Sequence, residues 1–124
     1  MKTKPQVLTV KGVKAKARAA YSRRKLTAQH RNPKKRICAY EVDTCRCVIG
    51  AALTKTTLKA IRKANKNNGS VMALRDAGIV RFDARIGSAL NAIQAAHDAW
   101  ALAARGVFGC CRDARRDFLK TIAA

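Results

Sequence analysis

The first 36 residues carry thirteen lysines and arginines (Lys2, Lys4, Lys11, Lys14, Lys16, Arg18, Arg23, Arg24, Lys25, Arg31, Lys34, Lys35 and Arg36) and not one acidic residue. A block of one sign repels itself and favours an interaction arm over a self-contained fold. Residues 37–124 hold the other fourteen cations together with all seven acids. The formal charge of +20 is therefore mostly local. A charge this high strains a compact state, and a polyanionic partner would relieve it.

Length and composition bound the rest. A chain of 124 residues allows one domain with an arm. With 48% hydrophobic and only 5% aromatic residues, the expected core is aliphatic and alanine-rich. No stretch approaches the roughly 20 apolar residues that span a bilayer. The basic start is followed by no apolar signal core, and the five cysteines are odd in number. Reduced thiols in a cytoplasm are expected, rather than a disulfide framework.

The sequence divides into an arm, residues 1–33, and one α+β domain, residues 34–124. Alanines among the cations predict a helix over 11–31, ended by Asn32-Pro33. Its apolar stripe is thin: Val13, Ala17, Ala20 and Tyr21 share a side, and Leu26 points elsewhere. Such a helix packs weakly on the body or orders on meeting its partner. A solvated tail that aids solubility is the plainer alternative.

In the body, segments 36–42 and 45–50 flank Asp43-Thr44 and predict a β-hairpin. The register that sets Glu41 opposite Arg46 makes a cross-strand charge pair. It also gathers Cys38, Tyr40, Val42, Cys45, Cys47 and Ile49 on one apolar face. Thr54 caps a helix to about residue 66, stopped by Asn67-Asn68-Gly69, with Leu58, Ile61 and Ala64 or Asn65 inward. Lys55, Lys59, Arg62 and Lys66 form a basic stripe on another side, with no acid in the row. The stripe is either a phosphate track or an ordinary solvated face.

Residues 70–76 predict a short helix with Val71 and Leu74 inward, and 78–82 a third strand. Asp83 caps the longest helix, residues 84–105, where Ile86, Leu90, Ile93, His97, Trp100 and Ala104 recur at helical spacing. After a break at 106–109, a last helix over 110–122 buries Cys111, Ala114, Phe118 and Ile122. The sum is a small α+β fold: an antiparallel sheet of a hairpin plus a third strand, packed with helices, and a basic helical arm.

Three constellations could carry chemistry. Cys38, Cys45, Cys47 and His97 are the donors of a Cys₃His zinc site. The Cys-x₆-Cys-x-Cys spacing lacks a Cys-x₂-Cys knuckle, and strand residues two apart lie nearly 7 Å apart, at about 3.3 Å per residue. Buried thiols acting as small hydrophobes are the competing reading, with no cofactor at all. A cysteine activated by His97 and oriented by Asp98 would make a nucleophile, but adjacent helical residues point about 100° apart. His97 then reads as a core histidine satisfied by the hairpin. Cys110-Cys111, before Arg112, Arg115 and Arg116, reads as structural.

No phosphate-cradling glycine loop, HExxH motif, nucleophile elbow, RNP pattern, Cys₂His₂ finger or clear helix-turn-helix is present. With few aromatics to stack on bases, recognition by charge and shape remains.

Cys38-Ala39-Tyr40, Cys47-Val48-Ile49-Gly50, Asn68-Gly69 and Ile93-Gln94-Ala95-Ala96-His97-Asp98 resemble a pattern in a family of small phage and prophage proteins. The resemblance spans roughly residues 32–100 and supplies a setting rather than an activity. It implies that Cys38, Tyr40, Cys47, Gly50, His97 and Asp98 form one assembled unit. The chain departs from the pattern in its short hairpin loop and its basic arm.

The expected function is non-enzymatic binding of RNA or DNA, or of a nucleoprotein complex, through the phosphate backbone. The expected contacts are Lys11, Lys14, Lys16, Arg18, Arg23, Arg24, Lys25, Arg31, Lys34, Lys35, Arg36, Lys55, Lys59, Arg62 and Lys66. An inhibitor of a host defence complex, of the anti-CRISPR type, is the alternative. A zinc module or a thiol enzyme is a further one.

Overall fold

The computed structural model describes residues 4–30, 39–42, 44–65, 70–104 and 111–124. Helix α1, Val10–Ser22, starts where Thr9 turns its Oγ1 to the Gly12 N–H. It ends well before Asn32-Pro33. Arg24 adopts a left-handed conformation (φ 56°), so Arg24 N–H reaches Tyr21 O and Lys25 N–H reaches Ala20 O. This is the Schellman closure that glycine normally supplies. The same closure ends a later helix at Gly78, and Asn65, also left-handed, donates its N–H to Arg62 O past another. The Asn32-Pro33 stop itself lies outside the described residues.

The chain preceding α1 forms β1, Gln6–Val7, which pairs in parallel with β4, Val80–Arg81. The third strand therefore exists but does not join the hairpin. The hairpin, β2 (Glu41–Val42) and β3 (Cys45–Arg46), is a separate antiparallel pair. Its register sets Glu41 opposite Arg46 and Val42 opposite Cys45, as expected. The strands are shorter than expected. Cys47 leaves the ladder and caps α2, Val48–Ala51, its Sγ accepting from Gly50 N–H at 3.3 Å.

Thr54 accepts from Thr57 N–H and starts α3, Lys55–Lys63. Thr57, Leu58 and Ile61 face inward, whereas Ala64 and Asn65 are exposed beyond its end. The expected stop at Asn67-Asn68-Gly69 lies outside the described residues. Ser70 caps α4, Val71–Asp76, with Val71 and Leu74 buried. Asp83 caps a 3₁₀ turn, Ala84–Ile86, which leads into α5, Gly87–Ala104. Leu90, Ile93, His97 and Trp100 are buried along α5, and Ile86 and Ala104 only partly. Phe118 of α6, Cys111–Thr121, stacks on Trp100 with ring centroids 5.3 Å apart. Ile122 is also buried, and Cys111 and Ala114 are half-buried against the core. Together these elements make a small α+β fold.

Residues 8–28 are not a weakly packed arm. Leu8, Val13, Ala17, Leu26 and Ala28 belong to the same apolar core as Leu90, Trp100 and Phe118. Leu26 is wholly buried because the chain after α1 turns back and bridges to Arg46, whose N–H donates to Lys25 O. The expected boundary between residues 33 and 34 lies outside the described residues. No helix among the described residues is long and apolar enough to cross a membrane.

Candidate nucleic-acid interface

The inward pull of Val13 and Ala17 fixes the rotation of α1, and that rotation aims its cations. Lys11, Lys16, Arg23 and Arg24 are exposed, while Lys14 and Arg18 are half-buried at its flanks. Arg18 donates through Nη1 to Ile122 O at 2.7 Å, which ties one flank of α1 to the end of the last helix. Lys25 is exposed just past the Schellman turn.

Lys16, Arg23 and Lys25 meet in a groove of about 600 Å³ between α1, the hairpin and the α2–α3 link. Arg46 and Thr44 form the hairpin wall, and Ala51, Ala52, Leu53 and Thr54 the far wall. No carboxylate lines it among the described residues. The far wall is held by Gln6, whose side-chain amide donates to Ala52 O at 2.7 Å and accepts from Thr54 N–H at 2.9 Å. Arg46 is braced rather than available: its Nε lies 3.4 Å from Glu41 Oε2 and its Nη1 donates to Leu53 O. Sequence reasoning missed both Gln6 and Arg46. Arg46 was accounted for as a ladder partner, and nothing local marks Gln6.

On α3, Lys55 and Lys59 are exposed. Arg62 is exposed as well, yet it donates to Glu41 Oε1, so the row is relieved by an acid after all. The relief comes from the hairpin, which sequence spacing along the helix cannot reveal. Arg31, Lys34, Lys35, Arg36 and Lys66 lie outside the described residues.

The titratable cluster in the core is arranged differently from expectation. His97 is fully buried, its Nε2 3.2 Å from Thr27 Oγ1 and its Nδ1 3.4 Å from Asp98 Oδ1. Its ring is thus met by Thr27 and by its own neighbour, not by the hairpin. Gln94 makes this possible: its Nε2 donates to Asp98 Oδ1 at 2.7 Å, and its Oε1 accepts from Ile49 N–H. Tyr40 is buried beside this network. Burial pushes its hydroxyl well above the usual phenol range, and its electrostatic interactions with Cys47 and Asp98 push the same way. Gly50 packs on the Tyr40 backbone, where any Cβ would overlap the carbonyl oxygen. Tyr40, Cys47, Gly50, His97 and Asp98 therefore lie together, and Cys38 is outside the described residues.

Cys45 and Cys47 are buried thiols. Among the described residues, no three His, Cys, Asp or Glu side chains converge as metal donors. The cluster is sealed: Tyr40, Cys47 and His97 are each at most 4% exposed. Its geometry is that of a hydrogen-bonded core joining the 3₁₀ turn Thr27–Gln29, α2 and α5. Comparison of the chain with protein families, with curated proteins and with solved structures yields no match.

Proposed function

We propose that the chain binds nucleic acid through phosphate contacts, without catalysis, in a phage-type setting. The observation that carries this reading is the groove in which Lys16, Arg23 and Lys25 converge with no lining carboxylate. Lys11, Arg24, Lys55 and Lys59 are exposed as well. Each cation that neutralises a B-DNA phosphate releases counterions and steepens the fall of log affinity with log salt by about 0.9.

Deleting residues 1–31 is a poor test, because Val13, Ala17 and Leu26 would leave the core with the cations. Neutralising the three groove cations (Lys16→Gln, Arg23→Gln, Lys25→Gln) removes charge and spares the core. The slope measured by fluorescence anisotropy with duplex oligonucleotides should flatten by about 2.7. An unchanged slope and affinity in the triple variant would sink this reading.

A second reading has its own observation. Val7 is 64% exposed and borders a hollow lined by Leu8, Val10, Phe82 and Ile86, with Thr9, Arg81 and Asp83 also at its wall. An inhibitor of a defence complex would use such a hollow to hold an apolar side chain of its protein partner. Affinity capture with and without nuclease separates the two: a partner lost on nuclease treatment favours nucleic acid, and one retained favours protein.

A further inference from the structure

We infer that α1 is a groove-insertion helix, and that the nucleic acid it fits is B-form DNA, gripped across the major groove. This rests on the phosphate-binding reading above and narrows it to one kind of duplex. At about 100° per residue, three cations of α1 and its C-cap Arg23 fall into two rows, with Lys14 turned further toward the core. Lys11 and Arg18 lie about 60–80° to one side of the outward direction, Arg18 half-buried with its Nη1 already on Ile122 O, and Lys16 and Arg23 about 60–80° to the other. Both rows have the same sign, and no acid occurs anywhere in residues 1–36 to oppose them.

Two cationic rows on opposite flanks match two phosphate backbones on opposite sides of a groove. Between the rows, the outward face carries only Gly12, Ala15, Ala19 and Ser22, all exposed. These short side chains let the helix axis descend until both rows reach phosphates. From Lys11 to Arg23 the helix runs about 18 Å, at 1.5 Å per residue. That covers about five base pairs at 3.4 Å each. With side chains an α-helix is about 10–12 Å across, and the B-DNA major groove is about 12 Å wide. The deep, narrow major groove of A-form RNA does not admit a helix. A single strand offers only one backbone and would engage one row. The opposite face of α1 is already committed to the core through Val13 and Ala17, which leaves the cationic face outward. Because Ser22 is the one polar side chain on the central face, binding should tolerate most base sequences.

The test uses the full chain and four probes of equal length, about two helical turns: duplex DNA, duplex RNA of the same sequence, single-stranded DNA, and duplex DNA bearing bulky groups on pyrimidine C5, which projects into the major groove. The expected result is duplex DNA bound at least about tenfold more tightly than the RNA duplex or the single strand. The modified DNA should lose about tenfold. The double variant Ala15→Leu, Ala19→Leu, which keeps every cation, should lose a similar factor on unmodified duplex while its circular dichroism stays native. The modified-DNA arm needs no variant, so a misfolded variant does not blunt the test. Equal or tighter binding of RNA duplex or single strand overturns the groove placement and leaves phosphate binding standing. So does indifference to C5 substitution. Absence of binding to all four probes at about 50 mM salt overturns the phosphate reading as well.

Discussion

Replacing Leu26 by alanine tests whether the basic segment is structural core. Leu26 is wholly buried, in one cluster with Leu90, Trp100 and Phe118. Truncation removes three carbons, a methine and two methyls, or about 2.4 kcal/mol of transfer free energy at about 0.8 kcal/mol per carbon. The site has little freedom to collapse, because the Leu26 backbone bridges to Arg46 and is anchored by the Arg46 N–H on Lys25 O. A residual cavity brings the expected loss to about 3 kcal/mol, within the range for buried Leu→Ala changes. At about 4 °C per kcal/mol for a chain of this size, the melting midpoint should fall by about 12 °C. Urea unfolding followed by far-ultraviolet circular dichroism gives the free energy directly. The slope with denaturant should be unchanged, since the same surface is exposed on unfolding. A loss below about 1 kcal/mol is what a solvated arm would give, and it would refute the packing described for residues 8–28.

Two further outcomes are expected. Gly50→Ala forces a Cβ onto the Tyr40 carbonyl, so it should cost at least about 2 kcal/mol by the same urea assay; a near-neutral variant would show that α2 does not press on Tyr40. Tyr40 is held neutral above the ordinary phenol value, so its contribution to stability is complete below about pH 10 and is lost as pH rises through the folded value. Its tyrosinate absorbance should therefore appear together with the loss of native circular dichroism, and Tyr40→Phe should abolish that step. Ionisation of Tyr40 at its ordinary value in a chain still native would contradict the burial.

Elements governed by local chemistry were legible in the sequence. Thr54 and Ser70 cap helices where their hydroxyls can meet the third N–H onward, and the spacing of Leu90, Ile93, His97 and Trp100 marks the buried side of α5. The hairpin register followed from one charge pair, Glu41 with Arg46. What failed depends on contacts between distant positions or on a residue acting out of type. Arg24 in a left-handed turn ends α1, a place where arginine has no intrinsic preference. Two-residue parallel pairing of Gln6–Val7 with Val80–Arg81 leaves no local pattern. Val48 and Ile49, β-branched and apolar, read as strand, yet tertiary packing and the Cys47 cap turn them into α2. At the candidate interface the individual cations were visible, but their grouping was not. The groove is assembled from α1, the hairpin and the α2–α3 link, and Glu41 reaches Arg62 only through the fold.

The rotation of α1 couples two properties that could otherwise drift apart. Val13 and Ala17 anchor one side of the helix and the cationic rows occupy the others, all within thirteen residues. Substitutions at exposed positions can retune the charge one site at a time. A single inserted residue between Val13 and Ala17, however, would turn everything beyond it by about 100° and carry part of one cationic row toward the core. Over generations this helix is therefore free to change its letters and not its length.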